Sequence, residues 1–240
     1  MSKTNKPSNL DIIKQIYILV PFYNEESHIV ATYGMLSRQK LPFVFINDGS
    51  TDYTMSILDD IRKKVGGFDI VTYSTNKGKG FAIKEGAKYL IYNKNVDYIL
   101  IFDSDGQNSI SDIPNFLIAL RKHPDAKIII GNRLHSPNNI PLIRLLTNRF
   151  MSWLISCIAG QKITDTQCGM RLVHRDVFDL ETKCSRFEYE SEQLIKASQV
   201  GMNIISTPIK CIYEKNQTSK MNCWSDTIRF FKMIFRLLLV

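Results

Sequence analysis

The sequence predicts one α/β domain on a mostly parallel sheet, and three observations carry that prediction. Short apolar runs alternate with helix-period stretches, polar residues cluster just after the runs, and no Pro/Gly/Ser linker or internal repeat divides the chain. The runs lie at 16–20, 43–46, 69–73, 98–102 and 127–130. Each is brief, β-branched or aromatic, and followed by turn residues, as buried strands are. Helices are predicted between them near 25–38, 52–65, 79–92 and 112–121. Thr51 is placed to cap the second, and Asp112 and Pro114 to open the fourth. After residue 131 the pattern changes. A helix is expected over 141–160, with Arg144 and Arg149 early and an apolar end through Trp153 and Ile158. A loop from 164 runs into a short strand by 173, then follow a helix over 187–200, a strand over 204–213 and a last helix from 224. Ligands of parallel sheets bind beyond the carboxyl ends of the strands. Asn24 and Glu25, then 47–50 (NDGS), 76–80 (NKGKG) and 103–107 (DSDGQ), all fall there.

Of the 240 residues 44% are hydrophobic and 22% charged, enough for an ordinary core and without disordered bias. Lys and Arg outnumber Asp and Glu by 31 to 23, a net +8. The surplus suits an anionic partner (an acidic membrane or a phosphorylated substrate) or serves solubility alone. Nucleic acid is disfavoured, because no helix-turn-helix, zinc-finger or RNP pattern is present. The five cysteines include no C-x-x-C pair, which argues against a disulfide framework or zinc site and fits a reducing compartment. Residues 1–10 are polar, with no apolar region of a secretory signal behind them. No stretch reaches about 18 uninterrupted apolar residues. A cytosolic protein is expected.

Asp103 and Asp105 stand two apart at the end of an apolar run, so in extended backbone their side chains share one side. With the Gln107 amide oxygen they can face one hard cation, Mg2+ or Mn2+, whose shell substrate phosphates and water would complete. The alternative is an acidic turn. The 76–80 stretch opens a helix and offers backbone N–H groups and lysines, Lys79 among them, to an anion. It lacks Walker spacing. The residues at 24–26 and 47–50 are default turn formers individually, and joint placement makes them informative.

Together these segments resemble the family-2 glycosyltransferases of the GT-A fold, in particular the dolichyl/polyprenyl-phosphate mannosyl- and glucosyltransferase branch. The resemblance runs in order through 20–26 (VPFYNEE), 47–52 (NDGSTD), 76–80 (NKGKG), 103–107 (DSDGQ), 131–133 (GNR), 165–171 (DTQCGMR), 187–190 (FEYE) and Ser219–Lys220. It implies a Rossmann-like GT-A catalytic domain over 10–220, while the residues of 221–240 themselves read as an amphipathic helix. It implies that Pro21, Tyr23, Asn24, Glu25 and Asp48, with Lys79, line the nucleotide-sugar pocket. Asp103, Asp105 and Gln107 would hold the metal and diphosphate, Arg133 and Lys220 would clamp phosphate, and Asp165 would lie in the acceptor-side loop. Asn47 stands where the family often has Asp, and Cys168 and Met170 replace commoner Ser and Phe, without removing a metal ligand. The implied reaction is inverting, metal-dependent transfer of a hexose from a GDP-mannose- or UDP-glucose-type donor to a polyprenyl or dolichyl phosphate. Transfer to a sugar hydroxyl of a surface polysaccharide or lipopolysaccharide is the alternative. A phosphate monoester is mostly dianionic at neutral pH and scarcely needs a base, whereas a hydroxyl does. Asp165 is the candidate base; otherwise it orients the acceptor or Arg171.

His28 and His123 are expected at the solvated side of helices. His135 and His174 lie near the site, for a phosphate contact or a plain surface role, and the cysteines read as small buried hydrophobes. In the tail Arg229, Lys232 and Arg236 form a basic stripe, and Ile228, Phe231, Met233, Ile234, Phe235, Leu237 and Leu238 cover much of the rest. Three readings fit: a helix in the interface on the cytosolic face of a membrane, a helix packed on the domain, and the start of a spanning segment at 237–240.

Overall fold

Among the described residues seven strands form one sheet in the order β3-β2-β1-β4-β6-β5-β7. They are β1 (Ile16–Phe22), β2 (Phe43–Asp48), β3 (Asp69–Tyr73), β4 (Tyr98–Ile101), β5 (Ile128–Asn132), β6 (Arg171–His174) and β7 (Ile204–Pro208). The structure is a computed structural model that describes residues 16–135, 140–210 and 223–239. Its helices are α1 (Ile29–Leu36), α2 (Thr54–Val65), α3 (Lys79–Lys94), α4 (Ile113–Lys122), α5 (Leu142–Ala159), α6 (Glu188–Gln199) and α7 (Cys223–Leu238). Consecutive residues of the central strands are buried, among them Leu19 with Val20, Phe45 with Ile46 and Ile129 with Ile130. Strands buried on both faces need cover on both, which the helices supply.

The sheet is parallel except at β6, which runs antiparallel to both β4 and β5. Register sets β1 between β2 and β4, with Val20 opposite Phe45 and Leu19 opposite Ile101. The carboxyl ends of β1, β2 and β4 therefore open on the same edge, bringing residues 23–26, 48–50 and 103–107 together. Gly49 shows how closely these loops pack. Its φ is +67°, and a methyl group there would stand 2.6 Å from the Asn76 backbone nitrogen, so the left-handed turn and the contact both call for glycine.

Two local expectations are corrected and one is met. Thr51 does not cap α2: its N–H donates to Asn24 Oδ1, while Asp52 Oδ1 accepts from the Thr54 N–H at 3.0 Å. Asp112 does precede α4, but its carboxylate accepts from the Lys210 N–H rather than from the helix. The last strand ends at Pro208, short of 213, and 211–213 lie outside the described residues.

Helix α7 packs on the domain through Phe230, Met233 and Ile234. Its basic stripe is partly used within the fold. Arg236 reaches the wholly buried Glu192 of α6 at 2.8 Å, and Arg229 pairs with Asp226 one turn earlier. Burial pushes the Glu192 carboxyl up, but the Cys184 and Lys183 N–H groups and Arg236 outweigh it, leaving the carboxyl below its ordinary value. Ile228, Phe231, Phe235 and Leu238 remain exposed.

Candidate active site

The first wall is the β1 and β2 ends. Asn24 takes a left-handed φ of 52°, and its carboxamide oxygen accepts the Thr51 N–H at 2.8 Å while its own N–H donates to Ser50 Oγ. Glu25 is buried, with its N–H on Thr54 Oγ1 and its carboxylate 3.2 Å from His28 Nδ1. His28 is thus half-buried rather than solvated, and its ring lies under Gly106, where an added methyl would sit 3.5 Å from Cδ2. An aromatic residue at a helix start carried no signal of this contact. Pro21 contributes its carbonyl to the Ser104 hydroxyl at 3.1 Å, joining β1 to the acidic loop. Tyr23, the remaining residue of this group, is partly exposed at the same edge.

Asp48 is buried and accepts four hydrogen bonds: Tyr73 Oη and the Lys77 N–H on one oxygen, Asn76 Nδ2 and the Gly78 N–H on the other, at 2.8–3.1 Å. Burial first, then the Asp48 charge, pushes the Tyr73 phenol well above its ordinary range, so it stays a donor. Asp48 therefore shapes the 76–80 loop from beneath. Lys79, the first residue of α3, points into the acidic cluster. Its ammonium lies 2.7 Å from Asp103 Oδ1 and 3.1 Å from Glu190 Oε2 of α6. Burial works against its charge, but Asp103 and Glu190 together overcome it and hold the lysine above its ordinary range.

Asp105 follows Asp103 on the same edge, and its Oδ1 accepts the Gln107 N–H at 3.0 Å across the left-handed Gly106. Burial, then the neighbouring Asp103 charge, pushes the Asp105 carboxyl up to about 6. Two carboxylates this close resist joint ionisation unless a cation joins them. Among the described residues no three His, Cys, Asp or Glu side chains cluster as a protein-only metal cage. The donor set fits a hard cation shared between one or two carboxylates and substrate phosphate oxygens, as Mg2+ and Mn2+ usually bind.

The second wall is the loop at 165–170. Asp165 is wholly buried, and Arg133 grips it with three bonds: its N–H at 3.1 Å, Nε at 2.9 Å and Nη2 at 3.0 Å. Asp165 thus engages Arg133, not Arg171. Arg171 is itself buried and donates to the carbonyls of Cys168, Glu190 and Thr166 at 2.8–3.0 Å, which pins the loop to α6. Four residues after Asp165, Gly169 lies so close to Asp103 Oδ2 and Lys79 Nζ that a methyl group there would overlap both. The loop therefore spans from the Arg133 fork to the acidic cluster, within about 14 Å by chain reach.

Lys220 lies outside the described residues. His174 belongs elsewhere: it pairs with Lys127 and Asp176 and meets the Tyr98 ring at the amino end of β4, opposite the carboxyl edge. His135 is exposed in the short turn after Arg133. Cys168 and Cys184 are buried, but Cys157 is exposed, against expectation.

Helix α5 shows a feature that composition concealed. Its buried side is Ser152, Ile155 and Ala159. On the other side Leu142, Ile143, Leu146, Phe150 and Trp153 are 53–80% exposed, and at 100° per residue they span about 100° of arc. The helix is apolar on two faces, and among the described residues only one is covered. Its length and mean hydropathy of 1.2 reach those of a membrane span, by length and composition alone. Ser152 Oγ accepts the Thr166 N–H at 3.0 Å, tying this helix to the residue after Asp165.

The glycosyl transferase family 2 profile matches residues 17–180. The chain is 27% identical to the UDP-N-acetylglucosamine–dolichyl-phosphate N-acetylglucosaminyltransferase of Methanococcus voltae, over 95% of this chain and 96% of that protein. It is 29% identical to the dolichyl-phosphate beta-glucosyltransferase of Saccharomyces cerevisiae, over 90% of this chain and 71% of that protein. Among solved structures it shares its fold with Mycobacterium tuberculosis glucosyl-3-phosphoglycerate synthase in complex with Mn2+, UDP-glucose and glycerol 3-phosphate. That match has a TM-score of 0.70 at 14% identity and covers 98% of this chain and 86% of the other.

Proposed function

Since the chain belongs to glycosyl transferase family 2, we propose that it moves a hexose from a UDP-sugar to a polyprenyl or dolichyl phosphate at the cytosolic face of a membrane. The relatives named for dolichyl phosphate support the acceptor, and UDP in the name of one of them supports the donor. The carrying observation is the Arg133 fork, held by the buried Asp165 on the loop whose Gly169 abuts Asp103 and Lys79. A lipid phosphate approaching a departing diphosphate accumulates negative charge, and a fixed cation offsets it without reorganising.

Asp103 and Asp105, with Gln107, would hold Mg2+ or Mn2+, which when bound neutralises the diphosphate leaving group. Asn24, Glu25 and Asp48 shape the nucleotide side, together with Pro21 and Tyr23. The acceptor oxygen attacks C1 opposite the departing diphosphate, so the anomeric centre inverts. A dianionic phosphate needs orientation rather than proton removal. Asp165, occupied by Arg133, serves as a positioning residue and not as the base.

Membrane docking is supported first by α5, whose buried side is tied to the acceptor-side loop through Ser152 and whose opposite apolar face is exposed, with Arg149 exposed at its border. The exposed side of α7 adds a second apolar strip. The test offers UDP- and GDP-sugars with Mn2+, with and without a short polyprenyl phosphate, and scores product by mass. Glycosyl lipid phosphate from a UDP-sugar is expected. Transfer to a saccharide hydroxyl with none to the lipid phosphate overturns the reading.

A further inference from the structure

Lys79 is shared between two carboxylates from different parts of the fold. Asp103 at the end of β4 holds it at 2.7 Å and Glu190 on α6 at 3.1 Å. Nothing in the transfer reaction described above uses Glu190. It is almost wholly buried, its Oε1 has no hydrogen-bond partner, and the nearest cation to that oxygen, Arg171 Nε, stands 3.7 Å away and is committed to the Cys168 carbonyl. A buried carboxylate so poorly satisfied is costly unless it has a task. Asp103 is less buried but crowded at both oxygens. Its Oδ1 carries the ammonium and its Oδ2 faces Gly169. A divalent cation joining Asp103 and Asp105 must come against the ammonium on Oδ1, and like charges at that separation repel. Glu190 Oε2 is the alternative partner already within reach.

We propose that Glu190 is a positioning residue that takes over Lys79 when a divalent cation loads the Asp103–Asp105 pair. Paired with Asp103, Lys79 neutralises part of a cluster that also includes Glu25, whose charge reaches Asp105. On loading, the ammonium moves off Asp103 and stays bound to Glu190, so the cluster exchanges one cation for another without stranding a buried lysine. The inference rests on the metal-binding reading of Asp103 and Asp105 made above.

The test measures binding of Mn2+ alone, without donor or acceptor, from the electron paramagnetic resonance of free aqueous Mn2+. Lys79→Met removes the competing ammonium and should tighten Mn2+ binding. Glu190→Gln leaves Lys79 with Asp103 as its sole charged partner and should weaken binding about tenfold. Simple electrostatics gives the same two signs, so the double variant decides. If Glu190 acts through Lys79, Glu190→Gln should change Mn2+ affinity less than about twofold in the Lys79→Met background, because the residue it steers is gone. An equal loss in both backgrounds overturns the proposal, as does unchanged affinity in Glu190→Gln. Melting curves on each variant identify misfolding. Glu190→Asp keeps the charge but shortens the arm. It should fall between wild type and Glu190→Gln, and it replaces the amide variant in the same comparison if that variant does not fold. Wild-type protein that binds no Mn2+, with or without UDP, refutes the metal reading itself and this inference with it. Wild-type binding without non-additivity refutes only the handover.

Discussion

Asp165→Asn separates a carboxylate that positions a cation from one that removes a proton. Asp165 is 0% exposed and its two oxygens accept three bonds from Arg133. Asparagine keeps the shape, but its NH2 would face a guanidinium donor, so at least one bond is lost and the charge attraction vanishes. Breaking a buried pair costs about 3–5 kcal/mol. Arg133 retains 13% side-chain exposure and can partly hydrate, so the lower end, about 3 kcal/mol, applies. For a chain of this size that is a melting temperature lower by roughly 6–12 °C. Transfer to a short polyprenyl phosphate should fall roughly ten- to a hundredfold, because the cation loses its fixed geometry while the chemistry still needs no base. Arg133→Met should destabilise more, since it leaves the buried carboxylate unpaired. The double variant Arg133→Met/Asp165→Asn should recover much of the melting temperature and none of the transfer. Differential scanning calorimetry and product mass read both effects on the same samples. If Asp165→Asn abolishes turnover with its melting temperature unmoved, and Arg133→Met is near normal, the pairing argument fails and Asp165 is a base for a hydroxyl acceptor.

Because the Asp105 carboxyl is raised to about 6, the stability it contributes when protonated is complete below its ordinary 3.8 and is lost as pH rises through 6. Mn2+ needs the ionised form, so its stabilising effect in thermal melts should be small at about pH 5 and full above about pH 7; equal shifts at both count against Asp105 as a ligand. Gly169→Ala should fold yet lose most UDP and Mn2+ affinity, because its methyl displaces Asp103 and Lys79; titration calorimetry showing normal affinity would contradict the geometry. Replacing Leu146, Phe150 and Trp153 by serine should release the protein from anionic vesicles with little change in melting temperature, as all three are more than half exposed. Unchanged co-sedimentation would exclude α5 as the docking face.

The positions of most strands and helices, and the polar clusters that gather at the carboxyl edge, are legible in the amino-acid order alone. Each apolar run is followed by turn formers, and backbone periodicity records burial residue by residue. The resemblance through 103–107, 131–133 and 165–171 identified the family, and the profile match confirms it. Strand pairing, by contrast, emerges only from the folded chain. Residues 171–174 are too few to announce a direction, and their place between β4 and β5 depends on the return path from α5. What each charge touches is likewise a matter of packing. Asp165 and Arg133 stand 32 positions apart and Lys79 and Glu190 far more, and no local pattern encodes such pairs, because a side chain's partner depends on how distant segments meet. The same holds for α5: periodicity shows that a helix has apolar faces, and only packing shows which one the protein leaves uncovered.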